Sequence, residues 1–536
     1  MKKIRGMFIL FWAALLFGCT SNQNTQQKAI ESITAEELKV HLNFLAADEF
    51  QGRNTPSPEL KITSRYIATM VESYGLEPIM PDGSYFQNIP LVVRTIDPTQ
   101  SRMRMISKTG SQSFSFAHDF GISDRTYQDV SISGELVFAG FGLSVPDQGW
   151  DDLRSIDVKG KIVVLLDVDL PEGHHLQTSE NQRLLWRRSR IIGQKGAAAV
   201  LSVVSEEREK NFTEKGYLFD TTGRARLAKD LKTVWITSQS QPYLRAEIRH
   251  SMACELLGIS LDKLQEMFSA IKKGEQIPSR DLPGQKLEIT IGVNSQNDYT
   301  SNVVAWLKGT DEHLKEEYIL FGSHHDHLGA REGKIFNGAD DNGSGTVAML
   351  EIAQALAIDR PNRSVILVWH TGEEKGLWGS RYFVENSPVP VEKMSAELNM
   401  DMLCRNDPDS IYLIGSNKLS SDLDAAIHKV NEKYIRMNLD YTYEDPKHPE
   451  NFFFRSDQYP YIQYGVPAVW FFCGTTEDYH QESDTVDRAD FVKLEKVARL
   501  VYLTAMELGN RAEMLDLDLH PKITARGEQN LKVKWR

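Results

Sequence analysis

The sequence predicts an α/β fold, a mostly parallel mixed sheet with helices on both faces, into which a smaller α+β domain is inserted. Two observations predict it. From about residue 300, buried strand-like runs alternate with helical runs, as in "EEYILFGSHHDH", "SGTVAMLEIAQALAI", "RSVILVWHTG" and "LWGSRYFVEN". Such alternation marks a sheet covered by helices. From about residue 110 the texture is different. Short β-rich runs bounded by glycine, "SGELVFAGFGL" and "GKIVVLLDV", precede the helical "ACELLGISLDKLQEMFSAIKKG" and the alternating "KLEITIGV". A chain of 536 residues has room for two or three domains.

The elements follow in order. "MKKIRG" is a basic stretch, and "MFILFWAALLF" is an apolar run too short to span a bilayer comfortably. "LFGC" then resembles a bacterial lipoprotein signal, which implies cleavage before Cys19, lipidation of Cys19 and an exported chain anchored to the cell envelope. Residues 1–18 are thus expected to be a signal peptide and residues 19–30 a flexible polar tether. "ITAEELKVHLNFLAADEF" opens with a Thr34–Glu37 capping box. "SPELKITSRYIATMVESYG" has Ser57 as N-cap, Pro58 in the first turn and Gly75 as its stop. The boundaries expected are 31–110 and 291–512 for the main domain, 111–290 for the insertion and 513–536 for a tail.

Composition excludes little. Hydrophobic residues make up 41% and charged residues 25%, as in an ordinary globular chain. The formal net charge of -13 and the lack of a basic stripe argue against a nucleic-acid partner. Beyond Cys19, the three scattered cysteines, Cys254, Cys404 and Cys473, do not make a disulfide framework and read as small buried hydrophobes.

Polar residues capable of chemistry sit where the predicted strands end, the edge at which α/β sheets collect their sites. His324 and Asp326 close "YILFGSHHDH". "NGADDNGSG" leads into a helix, Glu373 and Glu374 follow "VILVWHTG", Asp401 follows "AELNM", and His480 lies in "EDYHQESDT". A His with a neighbouring carboxylate suits a metal ligand held in one tautomer. His325 and His327 read as structural groups or as supports for a ligand. Nitrogen and oxygen donors without cysteine suit zinc or another divalent metal.

The succession "GSHHDHLG", "NGADDNGSG", "TGEEKGLWGS", "LNMDML" and "DYHQESDT" resembles the co-catalytic zinc exopeptidases of metallopeptidase family 28, a group that includes secreted leucyl aminopeptidases and glutamate carboxypeptidases. The region around "GELVFAGFGL" looks like a protease-associated (PA) domain inserted in the peptidase. The resemblance implies two zinc ions. His324, Asp341 and Asp401 would hold one, and Glu374, His480 and the shared Asp341 the other. It implies Asp326 orienting His324, Glu373 as general base, and Tyr479 as a donor to the developing oxyanion. The expected substrates are peptides; oligomeric state is left open. Aminopeptidase is favoured, with Asp457 or Asp340 as partners for a substrate ammonium. Carboxypeptidase polarity would instead use Arg455 or Arg405. A one-zinc glutaminyl cyclase and a non-catalytic, receptor-like protein of this fold are the alternatives, and the complete ligand set disfavours both.

Overall fold

Strands without a polar face must be covered on both sides. The strands β1 (Tyr318–His324), β2 (Ser364–His370) and β3 (Met394–Met400) are buried at every position. In the computed structural model, residues 24–519 are described, apart from 124–126, 217, 221–222, 229–242, 332, 446–447 and 449. With β4 (Ser410–Ile414) and the fully buried β5 (Ala468–Phe472), these strands form a sheet in the order β4-β5-β3-β1-β2. β1 is parallel to β2 and to β3, and β3 is parallel to β5. β4 runs antiparallel to β5, and Val303–Leu307 runs antiparallel to β2 beyond it. The C-terminal ends of β1, β2, β3 and β5 therefore share one edge.

Helices complete this α/β architecture. Thr34 caps Ala35–Leu45 by accepting from the Glu37 amide, and Ser57 caps Pro58–Ser73 by accepting from Leu60. Gly345–Ile358 carries the strongly apolar "GTVAMLEIAQALAI", and Phe491–Gly509 starts at the Asp490 cap; both pack into the same core as the strands.

The chain divides into two compact units, one of Met1–Pro90, Tyr299–Ala330 and Lys334–Arg536, the other of Leu91–Asp298 with Arg331–Gly333. The second unit has its own core around the strands Val130–Phe138, Ile162–Leu166, Ala199–Val203 and Leu244–Ile248, which pair in that order and in parallel. The divisions fall at 90 and 298 rather than at the expected 110 and 290. Each lies inside a long strand, Phe86–Ser107 or Arg280–Leu307, so no loop composition marks it. The single helix expected over "ACELLGISLDKLQEMFSAIKKG" is two, His250–Leu257 and Leu261–Lys272, because Gly258 takes a φ of 64° and stops the first.

Two expectations at the ends are corrected. Residues 24–30, placed in a flexible tether, are helical, and Ala29 is fully buried beside Ile33 in the core of the first unit. The run "QKAI" supplies helix formers, and Ala29 and Ile33 share one face at i,i+4 spacing. Leu515 and Leu517, placed in the tail, are core residues. The signal peptide, Cys19 and residues 520–536 lie outside the described residues. No described helix is long and apolar enough to cross a membrane.

One buried cation ties the site-bearing loops together. Arg53 is 1% exposed and donates to four carbonyls: Leu45 (2.8 Å), His325 (3.1 Å), Asn337 (2.7 Å) and Gly338 (2.9 Å). Gly52 makes this approach possible. Its φ is 67°, and a Cβ there would lie 2.1 Å from the Phe336 carbonyl oxygen. Burial draws the Arg53 pKa down to about 10, so it stays a cation at neutral pH. Arg53→Met would strand four buried acceptors and is expected to cost about 3 kcal/mol or more of stability. Chemical denaturation checks this, and a loss below about 1 kcal/mol would refute the clamp.

Candidate metal centre

His324 is the last residue of β1, and its fixed backbone leaves the ring pointing over the sheet edge. Nδ1 faces the Asp326 carbonyl oxygen at 3.0 Å, which sets the tautomer and turns Nε2 outward. Nε2 then lies 3.4 Å from Asp341 Oδ1 and 3.3 Å from Asp401 Oδ1. Asp401 follows β3 directly, and its other oxygen accepts from Ser456, which in turn accepts from Asn399. Ligand atoms of His324, Asp341 and Asp401 all lie within 4.8 Å of one another.

A second group shares Asp341. His480 Nε2 lies 3.2 Å from Asp341 Oδ2 and 3.4 Å from Glu374 Oε2. His327, Asp341 and Glu374 likewise have ligand atoms within 4.8 Å of one another. His327 Nδ1 is 2.9 Å from Glu374 Oε1, so this ring, read from the sequence as structural or supporting, faces the site directly.

Asp341 is held by its backbone. Its amide and that of Asp340 both donate to the Asp484 carboxylate, at 3.0 and 2.9 Å, and Arg405 donates to the same carboxylate at 2.8 Å. Strain gathers here too. His480, Met402 and Ser456 are non-glycine residues with φ of 58°, 60° and 60°, each a conformation costing on the order of 1 kcal/mol that the surrounding contacts must impose.

The electrostatics separate the adjacent glutamates. Burial pushes the Glu373 pKa well above the usual carboxylate range; the Glu374, Asp457 and Asp401 charges add to this and outweigh His324. Burial and Asp341 also push Glu374 upward, but the neighbouring His327 and His480 prevail and hold it at about 2. Burial would lower His324, but Asp401 and Asp341 hold it well above its ordinary value. Against the same effect of burial, Asp341 and Glu374 raise His480 to about 10. A cavity of about 30 Å³, room for roughly one water, is lined by Glu373, Asp341, Asp401, Tyr479 and His480 but not by Glu374. Met402, Phe452, Trp470 and Phe472 add aromatic and apolar groups to its wall, and Arg455, Ser456 and Thr475 complete it.

This donor set fits a divalent cation. Asp401 Oδ1, Glu374 Oε1 and both His327 ring nitrogens are buried and lack a well-formed hydrogen bond among the described residues. Buried carboxylates crowded in this way need cations to offset their charge, and the two triads offer His and carboxylate donors alone.

Several expected roles change. The Asp326 carboxylate is 3.7 Å from His324 Nδ1; it accepts instead from Thr55 (2.7 Å) and from the Glu373 amide (3.2 Å), so it places the Glu373 backbone. Asp326 also lies beyond the strand end, not on β1. Asp457, expected to face a substrate, is fully buried against His370 at 3.4 Å and does not line the cavity. Asp340 is buried too, accepting from Cys404 N, Ser344 and Cys473. Arg405 is spent on Asp484, and Arg455 donates to the Tyr479 hydroxyl at 2.7 Å. His325 is structural: its Nδ1 donates to the His370 carbonyl at 2.7 Å, and burial lowers its pKa to about 3. Sequence reasoning missed Thr55, Ser456, Asp484 and Arg53 as parts of the site. Asp484 lies inside the motif "DYHQESDT", and Arg53 and Thr55 lie in the short polar run "GRNT".

Residues 302–505 match the family model described as "Peptidase family M28". The chain is 30% identical over 233 residues to "Leucine aminopeptidase 2" of Arthroderma otae, a match that covers 38% of this chain and 44% of that relative. The chain thus matches less than half the length of such curated relatives. Two solved structures share the fold across both units. BSAP, described as a zinc aminopeptidase from Bacillus subtilis, has a TM-score of 0.53 at 16% identity, covering 89% of this chain and 96% of its own. The aminopeptidase from Aneurinibacillus sp. strain AM-1 has a TM-score of 0.51 at 18% identity, covering 92% and 98%.

Without metal, His324 and His480 carry protons at pH 7 and must lose them to ligate. Zinc uptake by the chelator-stripped chain is expected to release protons and to tighten as pH rises from roughly 6 to 8. Calorimetry in buffers of different ionisation enthalpy measures the release. Uptake with no proton released would contradict the geometry.

Proposed function

We propose that the chain is an exported two-zinc aminopeptidase. The observation that carries this reading is the division of Glu373 from Glu374, one facing the small cavity with a raised pKa, the other held anionic between two histidines. One zinc would be held by His324, Asp341 and Asp401, the other by Asp341, Glu374 and His480, with His327 beside it. Bound zinc supplies Lewis acidity toward a peptide carbonyl and acidifies a water.

The protein's own groups do the rest. Glu373 takes the proton of the attacking water and returns it to the leaving amine, a task that suits a carboxylate tuned upward. The Tyr479 hydroxyl donates to the oxygen of the carbonyl as it becomes an oxyanion. The Met402, Phe452, Trp470 and Phe472 wall suits a large apolar side chain next to the scissile bond. Amino-end specificity is supported by the names of the relatives; Arg405 is paired with Asp484, and Arg455, at the cavity wall, donates to Tyr479. With Asp457 and Asp340 buried, an incoming ammonium would meet Glu373 and Asp401 themselves. The complete donor set and the cavity-facing base weigh against the cyclase and receptor alternatives. Residues 1–19 support export and lipid anchoring in the cell envelope, and the Leu91–Asp298 unit is proposed as the PA domain.

Glu373→Gln is expected to retain zinc and to lose about 10²–10⁴-fold in turnover, read from metal content and peptide hydrolysis together. Near-full activity would remove Glu373 from its role. On a peptide library, blocking the N-terminus should abolish cleavage while blocking the C-terminus should not. Cleavage of doubly blocked peptides would overturn the exopeptidase reading.

A further inference from the structure

Resting on the peptidase reading above, we propose that Arg455 is a positioning residue that acts through Tyr479, turning the phenol proton toward the substrate oxyanion. A guanidinium has five N–H donors and no acceptor. With Arg455 Nη2 at 2.7 Å, the Tyr479 oxygen must be the acceptor of that bond, so its own proton points elsewhere. Among the described residues no group accepts that proton. Tyr479 lines the cavity with Glu373, Asp341 and Asp401, and a carbonyl oxygen held there is the acceptor it lacks. The ring cannot turn away freely, because it stacks on His480 with centroids 3.9 Å apart and planes at 24°.

Arg455 is placed for this task from both sides. Its guanidinium lies over the Phe452 ring at 5.1 Å and over the Tyr479 ring at 5.7 Å. Glu450 approaches it at 3.4 Å from the exposed side. Ser456, the next residue, holds Asp401 and takes a φ of 60°, so the same short turn sets a metal-side carboxylate and the arginine. A donor bond into the phenol oxygen also polarises the O–H, which strengthens it as a donor. The competing role for Arg455, capture of a substrate carboxylate, would leave the Tyr479 bond incidental.

The test is a double-mutant cycle on the zinc-loaded full chain, using leucine p-nitroanilide, which has no carboxylate, and leucyl-leucine, which has one. Arg455→Met is expected to lower kcat about tenfold or more on both, with KM within about twofold. In the Tyr479→Phe background the same change should cost less than about twofold. Arg455→Lys, which keeps a donor, should recover part of the loss. A phosphonic dipeptide analogue should bind more weakly to Arg455→Met, with no further loss in the double variant. A KM rise confined to leucyl-leucine, costs that multiply in the double variant, or zinc loss in Arg455→Met would each overturn the proposal and leave the peptidase reading standing. A wild-type chain inactive on every peptide would overturn both.

Discussion

Everything at this sheet edge depends on holding negative charge out of water. Asp326, Asp341 and Asp401 are buried, and the half-buried Glu373 and Glu374 crowd against them. At such separations like charges repel strongly and solvation is lost. The structure meets this cost in three ways. His324, His327 and His480 stand between the carboxylates. Backbone amides and hydroxyls take the remaining oxygens. Arg53, buried behind, adds a fixed positive charge without spending itself on any one acid. The charge that remains is what a pair of divalent cations would neutralise.

This constraint explains why adjacent glutamates diverge. Side chains of neighbouring residues after a strand point in different directions, and here the two directions meet different surroundings. Glu374 finds two imidazoles, which hold it ionised. Glu373 finds a small cavity and other acids, which raise its affinity for a proton. Two functions that one carboxylate cannot serve together are thus obtained from one turn.

Much of the arrangement was legible in the sequence, for a physical reason. Parallel strands place their C-terminal ends on one edge, so polar residues at the ends of four apolar runs must meet. His324, Asp401, Glu373, Glu374 and His480 could be placed from that rule, with their order confirming a known pattern. What could not be read was anything set by closure of remote segments. Thr55 meets Asp326 across 271 positions and Arg53 meets His325 across 272. Such pairings leave no local period. His327 faces the site because β1 ends at residue 324, beyond which strand alternation no longer sets where a side chain points. Residues 24–30 form a polar run and are nonetheless helical, because one position in four can be buried.

The Asp484 contact has a consequence for how the molecule comes into being. Asp484 grips the Asp340 and Asp341 amides from 144 and 143 positions downstream, and Asp341 belongs to both triads. A chain emerging N-terminus first therefore carries an unfinished centre until residue 484 has appeared. His480 and the clamp that fixes the shared carboxylate arrive together, from one short loop. A product cut before that loop would lack both, so synthesis past residue 484 must precede assembly of the centre.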